Sequence, residues 1–293
     1  MPGIKNEDDV EVVDCPICGP APFRVWMEDG HPTRYVKCLE CKTIYASPRA
    51  SWASRYAWLD SKFGISEHAE DNARIRRPAL KVEAGYIYAH VTEGKLLDVG
   101  CDLGDFFEMF PSPDWERYGV ELAPSAAAYA SEKQAAKVYA GTLKSASFPD
   151  NFFDVVTLID LIYYMDDPNG ELEEIFRITK PGGVLAIEAP GQSYQMNRSK
   201  GIVPLILDRK WTRLRTNSAY INWYTPTGLN WLLIKNGFTP LEWKLVSSPI
   251  QQTGFRAMLT RIYVSLMGYC SKIFPTSLTF APKYFCIAKK NSN

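Results

Sequence analysis

Three absences limit what this sequence can encode. Net charge is absent, because 33 Lys and Arg residues balance 33 Asp and Glu residues over 293 positions. A balanced charge gives no overall field to attract a nucleic acid or an anionic membrane. No uninterrupted apolar run reaches the ~18 residues that a bilayer span needs. The acidic segment 1–9 lacks the apolar core of a signal peptide, so we expect a cytoplasmic protein.

Four of the seven cysteines fall in two Cys-x-x-Cys pairs, which are Cys15, Cys18, Cys38 and Cys41. Each pair holds two thiolates on one side of a tight turn, and two such turns complete a tetrahedral Zn²⁺ site. A disulfide interpretation would need an oxidising compartment, and a thioredoxin-like motif would account for only one pair. Four thiolates leave no open coordination position for water. We therefore predict a structural zinc ion in a small ribbon.

A glycine-containing turn between an apolar strand and a helix is predicted at residues 96–107, which read Leu-Leu-Asp-Val-Gly-Cys-Asp-Leu-Gly-Asp-Phe-Phe. Such a turn lets a ligand approach the unpaired N–H groups at a helix start. A dinucleotide fingerprint would need glycine at 102 and 105 as well as Gly100, and aspartate stands at both positions. We expect the side chain of Asp102 to cap the following helix.

Apolar segments alternate with helical ones after this turn, as in an open α/β sheet. Strands are predicted at 95–99, 115–121, 137–140, 155–159, 184–189 and 284–289. Glu121 ends a strand about 20 residues after the turn, which suits the binding of two ribose hydroxyls. Asp160 follows an apolar strand at the edge where ligands bind in such sheets. Before the turn, Pro78 predicts the start of a helix over 79–89.

The turn and the motifs after it resemble the class I S-adenosylmethionine-dependent methyltransferases. Asp98, Gly100 and Gly104 occupy the acidic and glycine positions of motif I in that family, with Asp102 in place of its middle glycine. A Phe-Asp-Val-Val run at 153–156 and Lys-Pro-Gly-Gly at 180–183 follow in family order. The resemblance covers nearly all of residues 95–293. It implies a Rossmann-like α/β fold with a seven-stranded sheet that binds S-adenosylmethionine.

The resemblance also implies the site residue by residue. The residues implied to bind the cofactor are Asp98, Gly100, Cys101, Asp102, Gly104, Glu121, Leu122, Thr142, Leu143 and Asp160. Many relatives carry an acidic residue in place of Thr142, to accept a proton from the adenine amino group. Histidines frequent in relatives are replaced here by Tyr164 and Asn222. Tyr164, which could also serve only in packing, and Glu188 at the end of a strand are the candidate catalytic residues.

Two further segments bear on possible partners. Residues 190–220 follow the fifth strand and are expected to lie over the active-site edge of the sheet. Residues 249–282 contain an apolar helical stripe at 257–274, which is typical of a core or a homodimer face. Contact of this stripe with a membrane surface is the less favoured alternative, because few basic residues flank it.

Three parts of the chain are predicted: a zinc-ribbon module at 1–47, a helical arm at 48–92 and a methyltransferase domain at 93–293. The ribbon is similar to that of bacterial zinc-ribbon methyltransferases that modify sugars or secondary metabolites. We predict O-methylation of such a small-molecule acceptor. An RNA-modifying enzyme is one alternative, against which the zero net charge argues. The other is a cofactor-binding interaction protein that has lost catalysis, which the missing histidines allow.

Overall fold

A computed structural model describes residues 10–28, 34–56, 69–193, 220–246, 258, 261–263, 265–266, 269–270 and 280–291. Most of the segment 190–220 and of the apolar stripe predicted at 257–274 lies outside these described residues. Within the described ranges, no helix has both the length and the apolar character that a bilayer-spanning segment requires.

Strands and helices alternate through the larger part of the chain. The strands are β1 (Val10–Glu11), β2 (Phe23–Glu28), β3 (Arg34–Cys38), β4 (Ile44–Ala46), β5 (Arg49–Ala50), β6 (Gly94–Val99), β7 (Trp115–Glu121), β8 (Lys137–Ala140), β9 (Phe153–Leu158), β10 (Thr179–Pro190), β11 (Asn222–Trp223), β12 (Phe238–Val246) and β13 (Lys283–Lys290). The α-helices are α1 (Ala69–Tyr88), α2 (Pro124–Gln134), α3 (Pro168–Ile178) and α4 (Pro226–Lys235). Short 3-10 helices span Asp105–Met109 and Ile162–Tyr164.

Seven strands form the central sheet in the order β12-β13-β10-β9-β6-β7-β8. Strand β13 is antiparallel to both of its neighbours, and the strands from β10 to β8 are parallel. Val155, Val156 and Leu158 of β9 are fully buried, as expected of a central strand covered on both faces. The predicted seven-stranded Rossmann-like fold is confirmed. The carboxyl ends of β6 to β10 therefore meet at one edge.

A second sheet joins the N-terminal ribbon to the later part of the chain. Its order is β11-β4-β3-β2, so a strand that follows β10 completes the ribbon. In this pairing Asn222 lies opposite Tyr45, and Trp223 lies opposite Ile44. Cys38 of the ribbon also belongs to the same buried apolar cluster as residues of α4. The predicted module boundaries at residues 47 and 92 remain predictions. The contacts between the residues before position 47 and the rest of the chain are extensive.

The predicted helix start at residue 79 is wrong, because α1 begins ten residues earlier. It runs from Ala69 to Tyr88 with Pro78 in its interior. An interior proline removes one backbone hydrogen bond and costs about 3 kcal/mol. The helix continues because its buried face, which includes Leu80, Ala84 and Ile87, packs on the core. Burying a large side chain such as Leu80 or Ile87 contributes roughly 1.5–3 kcal/mol, which offsets the cost of the interior proline.

Candidate active site

The turn after β6 has the conformation that its glycines allow. Gly100 has φ 69°, and a Cβ placed there would lie 2.9 Å from Cδ1 of Leu161. Gly104, with φ 77°, begins the 3-10 helix without a side-chain cap. The expected cap by Asp102 is therefore wrong. The Oδ1 atom of Asp102 is instead buried without a hydrogen-bond partner among the described residues, and Asp102 lies on the wall of a cavity.

This cavity, with a volume of about 380 Å³, lies at the carboxyl ends of β6, β7, β8 and β9. Nine of the ten residues predicted to bind the cofactor line it, and Gly104 is the exception. Tyr164 also lines the cavity, whereas Glu188 is not part of its described lining. The structure thus brings residues from four strand ends to one place. Their binding roles remain predictions.

Acidic groups dominate the wall of the cavity. The lining from the described residues has eight carboxyl groups, which are Asp98, Asp102, Asp105, Glu121, Asp160, Asp166, Asp167 and Glu171. Arg76 is the one cation in the same lining. Burial raises the pKa of Asp98 to about 7 and that of Asp102 to about 6. A wall of this composition favours a ligand that carries positive charge.

Glu121 at the end of β7 has a fixed carboxylate. Its Oε2 accepts a hydrogen bond of 3.0 Å from the N–H of Asp102, and its Oε1 accepts one of 2.9 Å from the N–H of Ala123. A carboxylate offers about four acceptor positions, so two remain for a ligand. The protein therefore orients this group before any ligand binds.

Thr142, beyond the end of β8, uses its hydroxyl locally. Its Oγ1 lies 2.9 Å from Oγ of Ser145 and accepts a hydrogen bond of 3.1 Å from the N–H of Ser145. These bonds stabilise the turn that places the buried Leu143 at the cavity. The turn leaves the Thr142 side chain already engaged within the protein.

Asp160 after β9 lies in a left-handed conformation, with φ 57°. Its carboxylate accepts hydrogen bonds of 2.5 and 2.6 Å from Nζ of Lys283 and one of 2.8 Å from the hydroxyl of Tyr163. Arg76 is 3.5 Å away. Burial opposes ionisation of Asp160, but Lys283 and Arg76 hold its pKa below the ordinary value. The carboxylate on this side of the cavity is therefore ionised at neutral pH.

Glu188 and Glu83 lie around the same lysine. Glu188, which is 2% exposed, forms an ion pair of 2.9 Å with Lys283. Burial and the nearby Asp160 raise the pKa of Glu188 to about 7. Glu83 of α1 is 1% exposed, and burial together with Glu188 raises its pKa to about 9. Sequence reasoning missed Lys283, because nothing near it along the chain indicates a partner 123 residues away.

Replacement of Glu83 by glutamine is expected to increase stability at alkaline pH. Between about pH 4.5 and 9 the folded state keeps a proton on Glu83 that the unfolded state releases, so stability falls as pH rises through this window. Glu83→Gln removes that loss. Denaturant unfolding should show little change at pH 5 and a gain of about 1–2 kcal/mol at pH 8.5. Glu132→Gln, an exposed change on α2, is the control. A loss of stability at both pH values would contradict this expectation.

Three tyrosines form an aromatic group beside Asp160. The ring of Tyr163 lies 4.6 Å from that of Tyr164 and 4.4 Å from that of Tyr220, measured between centroids. Burial raises the pKa of Tyr164, so its hydroxyl stays protonated at neutral pH. Asn222, which replaces a histidine of many relatives, donates a hydrogen bond of 2.7 Å to the carbonyl of Met165. That contact fixes the loop after β9.

The four cysteines of the two pairs converge. All four sulfur atoms lie within 4.8 Å of one another, with Cys15 and Cys41 at 3.5 Å and Cys18 and Cys38 at 3.9 Å. A tetrahedron with Zn–S bonds of about 2.3 Å has edges of about 3.8 Å. The donor set and its spacing therefore fit a Zn²⁺ ion, and the four cysteines would hold it.

Comparison with known proteins gives consistent matches. Residues 70–242 match the family model described as "Methyltransferase domain". An uncharacterized methyltransferase of Schizosaccharomyces pombe is 34% identical over 134 residues, which cover 41% of this chain and 48% of that protein. A malonyl-[acyl-carrier protein] O-methyltransferase of Serratia marcescens is 32% identical over 92 residues, which cover 31% of this chain and 36% of that protein. The chain thus spans less than half the length of these two curated relatives.

A solved structure has a similar fold. It is that of Burkholderia thailandensis 1,6-didemethyltoxoflavin-N1-methyltransferase with bound 1,6-didemethyltoxoflavin and S-adenosylhomocysteine. The TM-score is 0.54 at 18% identity, and the match covers 86% of this chain and 97% of that one. At this identity the similarity concerns the fold alone.

Proposed function

This chain belongs to the methyltransferase-domain family, whose model matches more than half of it, and we propose that it transfers a methyl group from S-adenosylmethionine to a small-molecule acceptor. The observation that carries the proposal is the acidic cavity at the carboxyl ends of β6 to β9. Its carboxyl groups suit a cationic ligand. When bound, S-adenosylmethionine supplies an electrophilic methyl group on a positively charged sulfonium.

Polar groups on the cavity wall are complementary to the polar parts of S-adenosylmethionine. Glu121 has two acceptor positions left for the ribose hydroxyls. The buried Oδ1 of Asp102 lacks a partner within the described chain and would accept a hydrogen bond from the cofactor's amino group. Gly100 has the positive φ that the turn between β6 and the cavity requires, and its missing side chain leaves room for Leu161 on the cavity wall. The residues present therefore fit the cofactor.

The acceptor is proposed to lie near Tyr164 and Asp160. The protonated hydroxyl of Tyr164 can form a hydrogen bond with the acceptor oxygen, whereas the ionised carboxylate of Asp160 is already engaged by Lys283, Tyr163 and Arg76 and acts through its charge. A hydroxyl group on the acceptor can pair with the hydroxyl of Tyr164, because each of them can donate or accept a hydrogen bond. These residues would orient the acceptor oxygen toward the methyl group, and orientation alone supplies much of the rate in such reactions. This supports O-methylation of a neutral, hydroxylated small molecule. Glu188 would contribute by holding Lys283 against Asp160.

Tyr164→Phe is expected to lower turnover about tenfold, equivalent to about 1.4 kcal/mol in the barrier. The reason is that the phenylalanine keeps the ring and loses the hydroxyl that positions the acceptor. Affinity for the cofactor should not change. Steady-state kinetics with the identified acceptor gives the measurement, and Tyr139→Phe, an exposed tyrosine of β8, is the control. Full turnover in Tyr164→Phe would leave the residue with a packing role only.

The experiment that tests the function combines binding with an acceptor screen. Calorimetry should detect binding of S-adenosylhomocysteine to the purified full chain. A screen of sugars, phenols and RNA with labelled S-adenosylmethionine should give transfer to a hydroxylated small molecule and not to RNA. Binding of NAD with no binding of S-adenosylhomocysteine would contradict the proposal. Binding without transfer to any acceptor would favour the interaction protein.

A further inference from the structure

One wall of the cavity comes from outside the central sheet. Trp52 and Tyr56 line the cavity, and both lie in a helical stretch at 52–56 directly after strand β5. Their ring centroids are 5.7 Å apart, with the planes tilted by 40°. Trp52 is 43% exposed. Tyr56 is half-buried beside the exposed Trp52, and aromatic rings on a cavity wall form a surface on which a flat ring can stack.

The position of Tyr56 indicates which end of the cavity this pair covers. Its hydroxyl lies 3.5 Å from the carbonyl oxygen of Leu122, the residue after Glu121. In sheet order the cavity extends from Asp160 at β9, past β6, to Glu121 at β7 and Leu143 at β8. With the ribose at Glu121, the base attached to it must lie on the β7 and β8 side. Tyr56 is on that side.

Buried ion pairs hold the aromatic pair in place. Arg55, between the two aromatic residues, is 3% exposed and forms an ion pair with Asp166 of the loop after β9. Its Nε donates a hydrogen bond of 2.8 Å to the carbonyl of Ala50 in β5. Arg49 reaches the same Asp166 carboxylate at 3.0 Å. These contacts attach the 52–56 stretch to β5 and, through Asp166, to the loop after β9 on the opposite side of the cavity.

We propose that Trp52 and Tyr56 bind the adenine ring of the cofactor and that Arg55 is a positioning residue for them. The inference rests on the proposed function, because it assigns a further part of the same cofactor site. The flat, uncharged purine is the part of S-adenosylmethionine that an aromatic wall recognises. The segment that follows the N-terminal ribbon therefore contributes directly to cofactor binding in this proposal.

Calorimetry on the full chain tests this assignment with two probes. S-adenosylhomocysteine is the complete cofactor product of methyl transfer. 5′-Methylthioadenosine keeps the nucleoside but lacks the amino-acid end. Tyr56→Ala and Trp52→Ala should each weaken binding of both probes at least fivefold and by the same factor. Tyr56→Phe, which keeps the ring, and Trp231→Ala, an exposed tryptophan of α4, should stay within twofold of wild type.

Two results separate the possible failures. If wild type binds S-adenosylhomocysteine and both alanine variants bind it equally well, the wall does not contact the cofactor and the inference is overturned. If wild type does not bind it, the proposed function itself fails. Circular dichroism and the thermal midpoint of each variant show whether the chain remains folded.

The positioning role of Arg55 needs a separate readout. Arg55→Met alone should weaken binding of 5′-methylthioadenosine at least fivefold. In a Tyr56→Ala, Trp52→Ala background the same change should have no further effect, because Arg55 acts through these two rings. An equal loss in both backgrounds would mean that Arg55 acts by another route and would overturn this role.

Discussion

Cys38→Ser is expected to destabilise the protein by more than about 4 kcal/mol and to remove its zinc, an effect in the range of a lost structural metal. Cys38 is fully buried in the apolar cluster that the ribbon shares with the larger domain. A serine there gives up the thiolate predicted to bind zinc and leaves a polar hydroxyl in an apolar site. Loss of the metal then removes binding energy that the fold uses.

The destabilisation should reach beyond the ribbon, because the cysteine turns pack on helices of the larger domain. Asn169 of α3 donates a hydrogen bond of 2.6 Å to the carbonyl of Pro16, and Lys235 of α4 donates one of 3.1 Å to that of Ile17. At the start of α4, a Cβ on Gly228 would lie 3.1 Å from the carbonyl oxygen of Cys41. The two parts are thus in direct contact at both cysteine turns.

Metal analysis and denaturant unfolding together check this expectation. Wild type purified without a histidine tag should contain about one zinc per chain, and Cys38→Ser should contain far less. Cys270→Ser, a cysteine outside the cluster of four, should match wild type in both measurements. Unchanged stability and metal content in Cys38→Ser would show that the cysteines do not form a structural metal site.

Glu121→Ala is expected to weaken binding of S-adenosylmethionine by about 1.5–3 kcal/mol, roughly 10- to 150-fold. The variant loses the acceptor proposed for the ribose hydroxyls. It also leaves the N–H groups of Asp102 and Ala123 without their carboxylate partner, which loosens the turn on the cavity wall. Both effects reduce the affinity for the cofactor.

Calorimetric titration with two matched variants separates these contributions. Glu116→Ala removes an exposed acid from the same strand and should bind the cofactor like wild type. Glu121→Gln keeps the size and one carbonyl acceptor, and we expect an intermediate affinity. Equal affinity in Glu121→Ala and wild type would exclude the ribose role.

Sequence reasoning located the central strands because their signal is local. The predicted strand at 95–99 lies within β6, and that at 155–159 overlaps β9. An apolar run bounded by turns is sufficient for a buried parallel strand. The four cysteines were likewise identified from spacing alone, and the structure brings their sulfur atoms together.

Contacts between distant residues could not be predicted in this way. Lys283 begins the last strand like any strand-end lysine, and only the antiparallel pairing of β13 with β10 brings it to Asp160. The two-residue strand β11 is too short to give a periodic pattern. The helix start predicted from Pro78 is wrong because local propensity disfavours a proline inside a helix. Burial of one helix face stabilises the helix on both sides of Pro78.

Strand β11 is synthesised long after the other three strands of its sheet, and this order has a consequence during translation. Tyr35 of β3 donates a hydrogen bond of 2.9 Å to the carbonyl of Tyr220, which is translated 185 residues later. At about 5–20 residues per second, the nascent ribbon waits roughly 10–40 s for its fourth strand. During that interval the edge of β4, with Ile44 and Tyr45, is unpaired and open to contact with other nascent chains. A metal ion captured early by the four cysteines would hold the unfinished ribbon in register until its last strand emerges.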